Sequence, residues 1–150
     1  MDAIDVLQDL AARPLQAAEG FADRLSAEKL NAHPGGQDNS IAWLLWHAAR
    51  EIDAQVADLA DAEQVWTAQG FDRRFDLGLD PQDHGYGHTP EQARAVVVED
   101  ADLLYAYLRA VVDAEQAYLR TLSPEDLAEV IDRSWDPPVT RAARLVSVSE

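Results

Sequence analysis

His47 and Glu51 lie four residues apart in an apolar segment, residues 39–53, that also contains Arg50 and Asp53. Residues at this spacing share one face of a helix, so an imidazole and a carboxylate here could hold one metal ion. The histidine could equally act as a base or pack as a core residue. Arg50 could pair with Asp53, or its planar guanidinium could bind a carboxylate of a substrate or cofactor.

Two further histidines flank a glycine-rich loop that precedes a helix start. His84 and His88 enclose Gly85-Tyr86-Gly87, whose glycines allow the backbone to approach a bound group. In one interpretation this loop is only a turn into a helix cap, with both imidazoles in solvent. In the other, His88 reaches the end of the bundle beside His47 and contributes to the same metal site.

Composition restricts the class of protein. The 150 residues suffice for one domain, residues 1–150, and 28 acidic against 12 basic residues give a net charge of −16. This charge repels phosphate backbones, so nucleic-acid binding is not expected. With no cysteine, disulfides, thiolate zinc sites and a cysteine nucleophile are excluded. No signal-peptide pattern and no run of ~20 apolar residues is present, so we expect a cytoplasmic protein without membrane contact.

The segment that carries His47 is predicted to be the second of four principal helices. Asn39 or Ser40 would cap its start, and it would end near Ala62. Its aliphatic residues recur at i, i+3, i+4 and i+7, which is typical of a helix face packed in a core. The predicted core stripe consists of Ile41, Leu44, Leu45, Ala48, Ile52, Val56 and Leu59.

The tryptophans are expected to pack in the core or between helices rather than to form a ligand-binding box. They are Trp43, Trp46, Trp66 and Trp135. Trp43, one turn before His47, is the candidate among them for contact with a bound cofactor.

The helices on either side of this segment are predicted to be long. The first lies within residues 4–30, and Pro14, which removes a backbone donor, should kink it or start its second part. Ser26 could cap one short extra turn at its end. Residues 63–88 lack a sustained period and form a long connection with a few aromatic anchors; such connections are often functional. Thr89-Pro90-Glu91-Gln92 starts a third helix, which runs to about Leu122.

The C-terminal part predicts shorter elements. Ser123-Pro124 starts a short helix, and Thr140 caps a final helix over residues 141–150. An up-and-down bundle favours helices of similar length, because unmatched apolar faces stay wet, so this fourth helix is short or truncated. No strand pattern competes. The predicted fold class is therefore all-α, an up-and-down four-helix bundle.

Residues 39–50, followed by Asp53, resemble the second helix of DinB-like proteins. These include YfiT-type proteins and the N-terminal domain of mycothiol-dependent maleylpyruvate isomerases. The segments 85–91 and 144–148 are similar to the starts of the third and fourth helices in the actinobacterial branch. The resemblance covers essentially the whole chain, and its Trp-x-x-Trp-His-x-x-Arg core is the most specific part.

The resemblance implies a DinB-like bundle with a divalent metal at one end, typically held by three histidines. His47 matches the ligand from the second helix. Ligands from the fourth helix would lie beyond residues 149–150, where family members continue. His88 and Glu51 are then the candidates that complete a zinc or nickel site in this chain.

The implied function is a metal-dependent transferase or isomerase that uses mycothiol or a similar small thiol. The metal would hold the thiolate and polarise the acceptor. Arg50 is the predicted catalytic residue, and Arg50 and Trp43 are the predicted contacts of the thiol cofactor.

Two alternatives remain open at this stage. The chain could be a metal-free helical protein that self-associates or binds a partner, since a short fourth helix leaves an apolar stripe that a second copy could cover. A homodimer is expected on this ground. The chain could also be a truncated version of a longer enzyme.

Overall fold

The computed structural model describes residues 1–149 and forms a helical bundle. In chain order the helices are α1 (Ala3–Glu19), α2 (Ala27–Leu30), α3 (Ile41–Ala60), α4 (Val65–Ala68), α5 (Phe71–Phe75), α6 (Pro90–Arg94), α7 (Ala101–Leu119) and α8 (Arg141–Val148). Helix α7 packs along α1 and α3, and α8 contacts the same two helices. The four-helix, all-α architecture is confirmed. The fourth helix is short, with 8 residues against 17, 20 and 19 in α1, α3 and α7; the predicted position 150 lies outside the described residues.

Hydroxyl caps fix the starts of three helices where the sequence predicted them. Ser40, Thr89 and Thr140 each accept a hydrogen bond from the backbone N–H three residues further on, at 3.0, 3.2 and 3.2 Å. These bonds satisfy amide groups that the first turn of a helix otherwise leaves without a partner. The cap at Ser40 sets the start of α3 and hence the position of His47, two turns later.

The predicted first helix is wrong beyond Glu19. Pro14 lies inside α1 without ending it, and the helix ends at Gly20. A 3₁₀ turn over Ala22–Arg24 follows. Ser26 then caps the four-residue α2, which confirms the predicted short turn.

The predicted third helix, from Thr89 to about Leu122, is also wrong as one element. Helix α6 ends at Arg94, and α7 starts after an Asp100 cap. Between them the Asn31 side chain bonds both the N–H and the carbonyl of Val98, at 2.9 and 2.7 Å. This amide supplies the partners that a helix would have supplied. The chain therefore leaves the helix and buries two valines, Val96 and Val98.

The sequence also missed a small antiparallel hairpin. Strands β1 (Val130–Asp132) and β2 (Val139–Thr140) pair just before α8. Strands of two or three residues are too short to show an alternating pattern. The predicted short helix from Ser123 is a 3₁₀ turn over Asp126–Ala128.

The buried face of α3 differs from the predicted aliphatic stripe. Ile52 and Val56 are in the core, but Leu44 is 50% exposed and Ala48 is exposed. The buried face instead carries two tryptophans, two charged residues and small residues packed beside them. These are Ala42, Trp43, Trp46, Ala49, Arg50 and Asp53. Charged residues are normally assigned to the surface. The predicted core stripe therefore excluded Arg50 and Asp53 and placed the buried side of the helix elsewhere.

Three of the four tryptophans pack in the core, as predicted, and Trp135 does not. Its side chain is 66% exposed in the turn between the two strands. Within residues 1–149, no helix combines the length and the apolar character needed to cross a membrane.

Candidate functional site

A buried polar network ties α3 to the connection that follows it. The Asp53 carboxylate accepts the backbone N–H groups of Val65 and Trp66, both at 2.8 Å, and the Tyr107 hydroxyl at 2.6 Å. Burial, and then the Asp53 charge, raise the pKa of Tyr107 far above its ordinary value. The tyrosine is therefore a permanent hydrogen-bond donor to Asp53.

Arg50 is fully buried and its guanidinium is used inside the protein. It donates to the carbonyls of Asp83 and Pro81, at 3.1 and 3.0 Å, and to Gln64 at 2.7 Å. Nη1 also lies 3.7 Å from the carboxylate of Asp53. Arg50 thus lies near Asp53, as one interpretation of the sequence expected, but its hydrogen bonds go mainly to loop carbonyls and to Gln64. Its guanidinium fixes the loop that carries the other histidines.

The same loop closes on itself through an aspartate–histidine pair. The Asp83 carboxylate accepts the N–H of Gly85 at 2.8 Å and lies 2.9 Å from His88 Nε2. Burial acts to raise the pKa of Asp83, but the bonds from His88 and Gly85 outweigh it, so the pKa lies below its ordinary value. The indole N–H of Trp43 donates to His88 Nδ1 at 3.1 Å. Both ring nitrogens of His88 are thus occupied, and its side chain is only 5% exposed.

His47 is held in one orientation and keeps one nitrogen free for chemistry. Its Nδ1 lies 2.5 Å from the carbonyl oxygen of His84, and its ring stacks on Trp43 with centroids 4.5 Å apart. A carbonyl accepts only, so Nδ1 carries a proton, and in the neutral ring the lone pair is on Nε2. Gly85 permits this approach: it has φ +91°, and a Cβ there would lie 2.9 Å from His47 Nδ1.

Glu51 and His84 complete what we call the histidine cluster, consisting of His47, Glu51 and His84. Glu51 lies 2.7 Å from His84 Nδ1 and 4.0 Å from His47 Nδ1. The side chains are 26%, 29% and 37% exposed for His47, Glu51 and His84. The cluster is thus a partly open site with two imidazoles and one carboxylate.

The sequence predicted that His47 and Glu51 lie side by side, but it did not predict that His84 belongs to the same cluster. That residue lies 33 positions after Glu51 in a connection without periodicity, so no spacing rule reaches it. The adjacent Gly85 was the available signal. A glycine beside a histidine, before a helix cap, marks a place where the loop backbone approaches another side chain closely.

The predicted metal ligands do not form a three-ligand set. His47 and Glu51 are neighbours, whereas both ring nitrogens of His88 are taken by Trp43 and Asp83. Among residues 1–149 no group of three or more histidine, aspartate or glutamate side chains has the geometry to hold a metal ion. The described residues therefore do not fit the implied zinc or nickel site.

A comparison with protein-family models identifies the family. The family model for the DinB superfamily matches residues 11–148. A crystal structure of a conserved protein from Enterococcus faecalis is similar, with a TM-score of 0.91 and 35% identity, over 99% of this chain and 88% of that one. The search of curated proteins gave no match to this chain.

Proposed function

This chain belongs to the DinB superfamily, and from that premise we propose that it acts on a low-molecular-weight thiol, such as mycothiol, in a transferase- or isomerase-type reaction. One observation carries the proposal. His47 donates Nδ1–H to the His84 carbonyl, so in the neutral ring the basic lone pair is on Nε2, and the side chain is partly exposed. A neutral imidazole of this kind removes a proton from a bound thiol near neutral pH.

The chemistry follows from the histidine cluster alone. His47 Nε2 takes the S–H proton, and the resulting thiolate forms a bond to an electrophilic carbon of the acceptor. The proton then passes from Nε2 to the acceptor atom that gained the electron pair. In an isomerase the reverse step releases the thiol. His84, whose Nδ1 lies 2.7 Å from Glu51, places a second imidazole in the same cluster, where a ring N–H can donate to the thiolate.

Arg50 and Trp43 serve this proposal as positioning residues. Arg50 holds the carbonyls of Pro81 and Asp83, and so sets the loop from which the His84 carbonyl reaches His47. Trp43 supports the His47 ring by stacking. Direct contact of Arg50 or Trp43 with the thiol or its carboxylate stays a prediction.

The test uses the absence of cysteine from the chain, because every thiolate signal then comes from the added ligand. Mycothiol or glutathione is titrated with protein near neutral pH, and the ultraviolet absorbance of its thiolate is followed. We expect the thiolate fraction to rise with wild-type protein and not with His47→Gln. His33→Gln is the matched control, since His33 also contacts a carbonyl, that of Gln37 at 2.8 Å. If His47→Gln raises the thiolate signal as wild type does, the proposal fails.

Zinc or nickel binding stays a prediction, and no step above depends on it. Its test is elemental analysis of untagged protein beside His47→Gln. Near-stoichiometric metal in wild type that is lost in the variant would establish a ligand set that the described residues do not supply.

A second candidate function, self-association as a homodimer, is favoured by one surface. An open groove of about 370 Å³ lies between α1 and α3 at the end of α8. It is lined by Arg13, Pro14, Ala17, Ala48, Ile52, Val148 and Ser149. Light scattering tests this proposal. We expect a dimer that Ala48→Glu converts to a monomer, and a wild-type monomer at high concentration would refute it.

A further inference from the structure

A second cavity lies between α3 and the connection that follows it, and its lining does not include the residues of the histidine cluster. Its volume is about 240 Å³, and the lining includes Trp46, Trp66, Asp72, Leu77 and Leu79. Pockets for drug-sized ligands usually measure about 300–1,000 Å³. The cavity is therefore suited to a smaller molecule.

Two polar atoms of lining residues are buried without a partner in the described part of the chain. They are the indole Nε1 of Trp46 and one carboxylate oxygen of Asp72. Trp46 is fully buried, so bulk water does not satisfy its N–H. Buried polar atoms are nearly always hydrogen-bonded, so this pair indicates a missing occupant. The occupant must offer an acceptor to the indole N–H and a donor to the carboxylate.

The charge around the cavity selects a cation. The lining carries four aspartates against a single cation, Arg73. Asp83 is paired with His88, and the others are Asp72, Asp76 and Asp80. A concave site lined by an excess of one charge concentrates ligands of the opposite sign. Trp46, Trp66, Leu77 and Leu79 add an apolar part to the lining, which suits the hydrocarbon body of an organic ligand.

We propose that this cavity binds a small organic ammonium compound that also carries a hydroxyl or carbonyl oxygen. The ammonium group donates to Asp72, the oxygen accepts the Trp46 N–H, and the apolar body lies against Trp46 and Trp66. Neither His47 nor His84 lines the cavity, so ligand binding there does not depend on the proposed thiol chemistry.

The test compares three probes that differ in charge and share one ring. They are tyramine, its neutral analogue para-ethylphenol and its acidic analogue para-hydroxyphenylacetate. The readout is the NMR signal of the Trp46 indole N–H in isotope-labelled full-length protein, assigned with Trp46→Phe. We expect tyramine to shift this signal saturably. We expect the other two to bind about tenfold or more weakly, as for loss of a hydrogen bond to a charged group.

Two matched variants locate the ammonium group. Asp72→Asn keeps the shape and removes the charge, and we expect tyramine affinity to fall about tenfold or more. Asp113→Asn removes one charge from the exposed face of α7 and is expected to bind as wild type does. The proposal is overturned if no probe shifts the Trp46 signal, which would mean that the cavity holds water only. It is also overturned if the three probes bind equally, or if Asp72→Asn leaves the affinity unchanged.

Discussion

Glu115 allows a quantitative test of the bundle, because its carboxylate is buried on α7 at 1% exposure. One oxygen accepts the Ser149 hydroxyl at 3.2 Å, and the other has no partner among residues 1–149. Burial raises its pKa from 4.5 to about 7, although the bond from Ser149 acts to lower it. The folded protein therefore keeps a proton on Glu115 at pH values where the unfolded chain has released it.

This shift makes stability fall as the pH rises. Between about pH 4.5 and 7 the folded state binds more protons at Glu115 than the unfolded state does, so the free energy of unfolding decreases with pH. The loss is complete above the folded-state value of about 7. At 1.36 kcal/mol for each pKa unit, the full effect is roughly 3 kcal/mol.

The assay is urea denaturation of wild type and Glu115→Gln at about pH 5 and about pH 8, on either side of this transition. Glutamine resembles the protonated acid, so the two proteins should be similar at the lower pH. At the higher pH the variant should be more stable by up to about 3 kcal/mol. Glu125→Gln, at an exposed position, controls for the loss of one charge. The reasoning is refuted if the stability difference between wild type and Glu115→Gln is the same at both pH values.

The remaining predictions concern the residues that hold the site together. Asp53→Ala should lower the free energy of unfolding by about 3–5 kcal/mol, because it removes the only carboxylate beside the buried Arg50 among the described residues and the acceptor of three buried donors. Asp58→Ala, at an exposed position on α3, should change little in the same denaturation experiment. Gly85→Ala should abolish the thiolate signal by displacing His47, whereas Gly87→Ala has a similar positive φ but nothing within 4 Å of its added Cβ and should retain the signal. Equal signals from the two glycine variants would contradict the assigned contact.

The parts of the fold that sequence predicted are those set by local chemistry. The caps at Ser40 and Thr140 and the extent of α3 follow from residue types within a few positions of one another. The break between α6 and α7 does not, because the side chain that holds Val98 is Asn31, 67 residues earlier. A contact between residues so far apart in sequence does not produce a hydrophobic periodicity that could predict it.

The candidate site was predicted in the same uneven way. His47 and Glu51 share one helix, so their spacing was sufficient to place them together. Arg50 was expected to face either a ligand or Asp53, but its main partners are backbone carbonyls in a loop about thirty residues away. Every residue has a backbone carbonyl, so no sequence pattern shows which carbonyls a buried arginine will contact. His84 was missed for the same reason, since its carbonyl, as well as its ring, contacts α3.

Arg50 holds the loop through hydrogen bonds to main-chain carbonyls, which do not depend on the side chains of the loop. The fold of residues 77–81 depends on where their backbone lies, whereas the lining of the neighbouring cavity depends on which side chains they bear. Substitutions at Leu77 and Leu79 can therefore change which ligand the cavity binds, while the hydrogen bonds from Arg50 to the loop carbonyls remain. The scaffold is thus suited to acquiring new ligand preferences by exchange of loop side chains, with the helices unchanged.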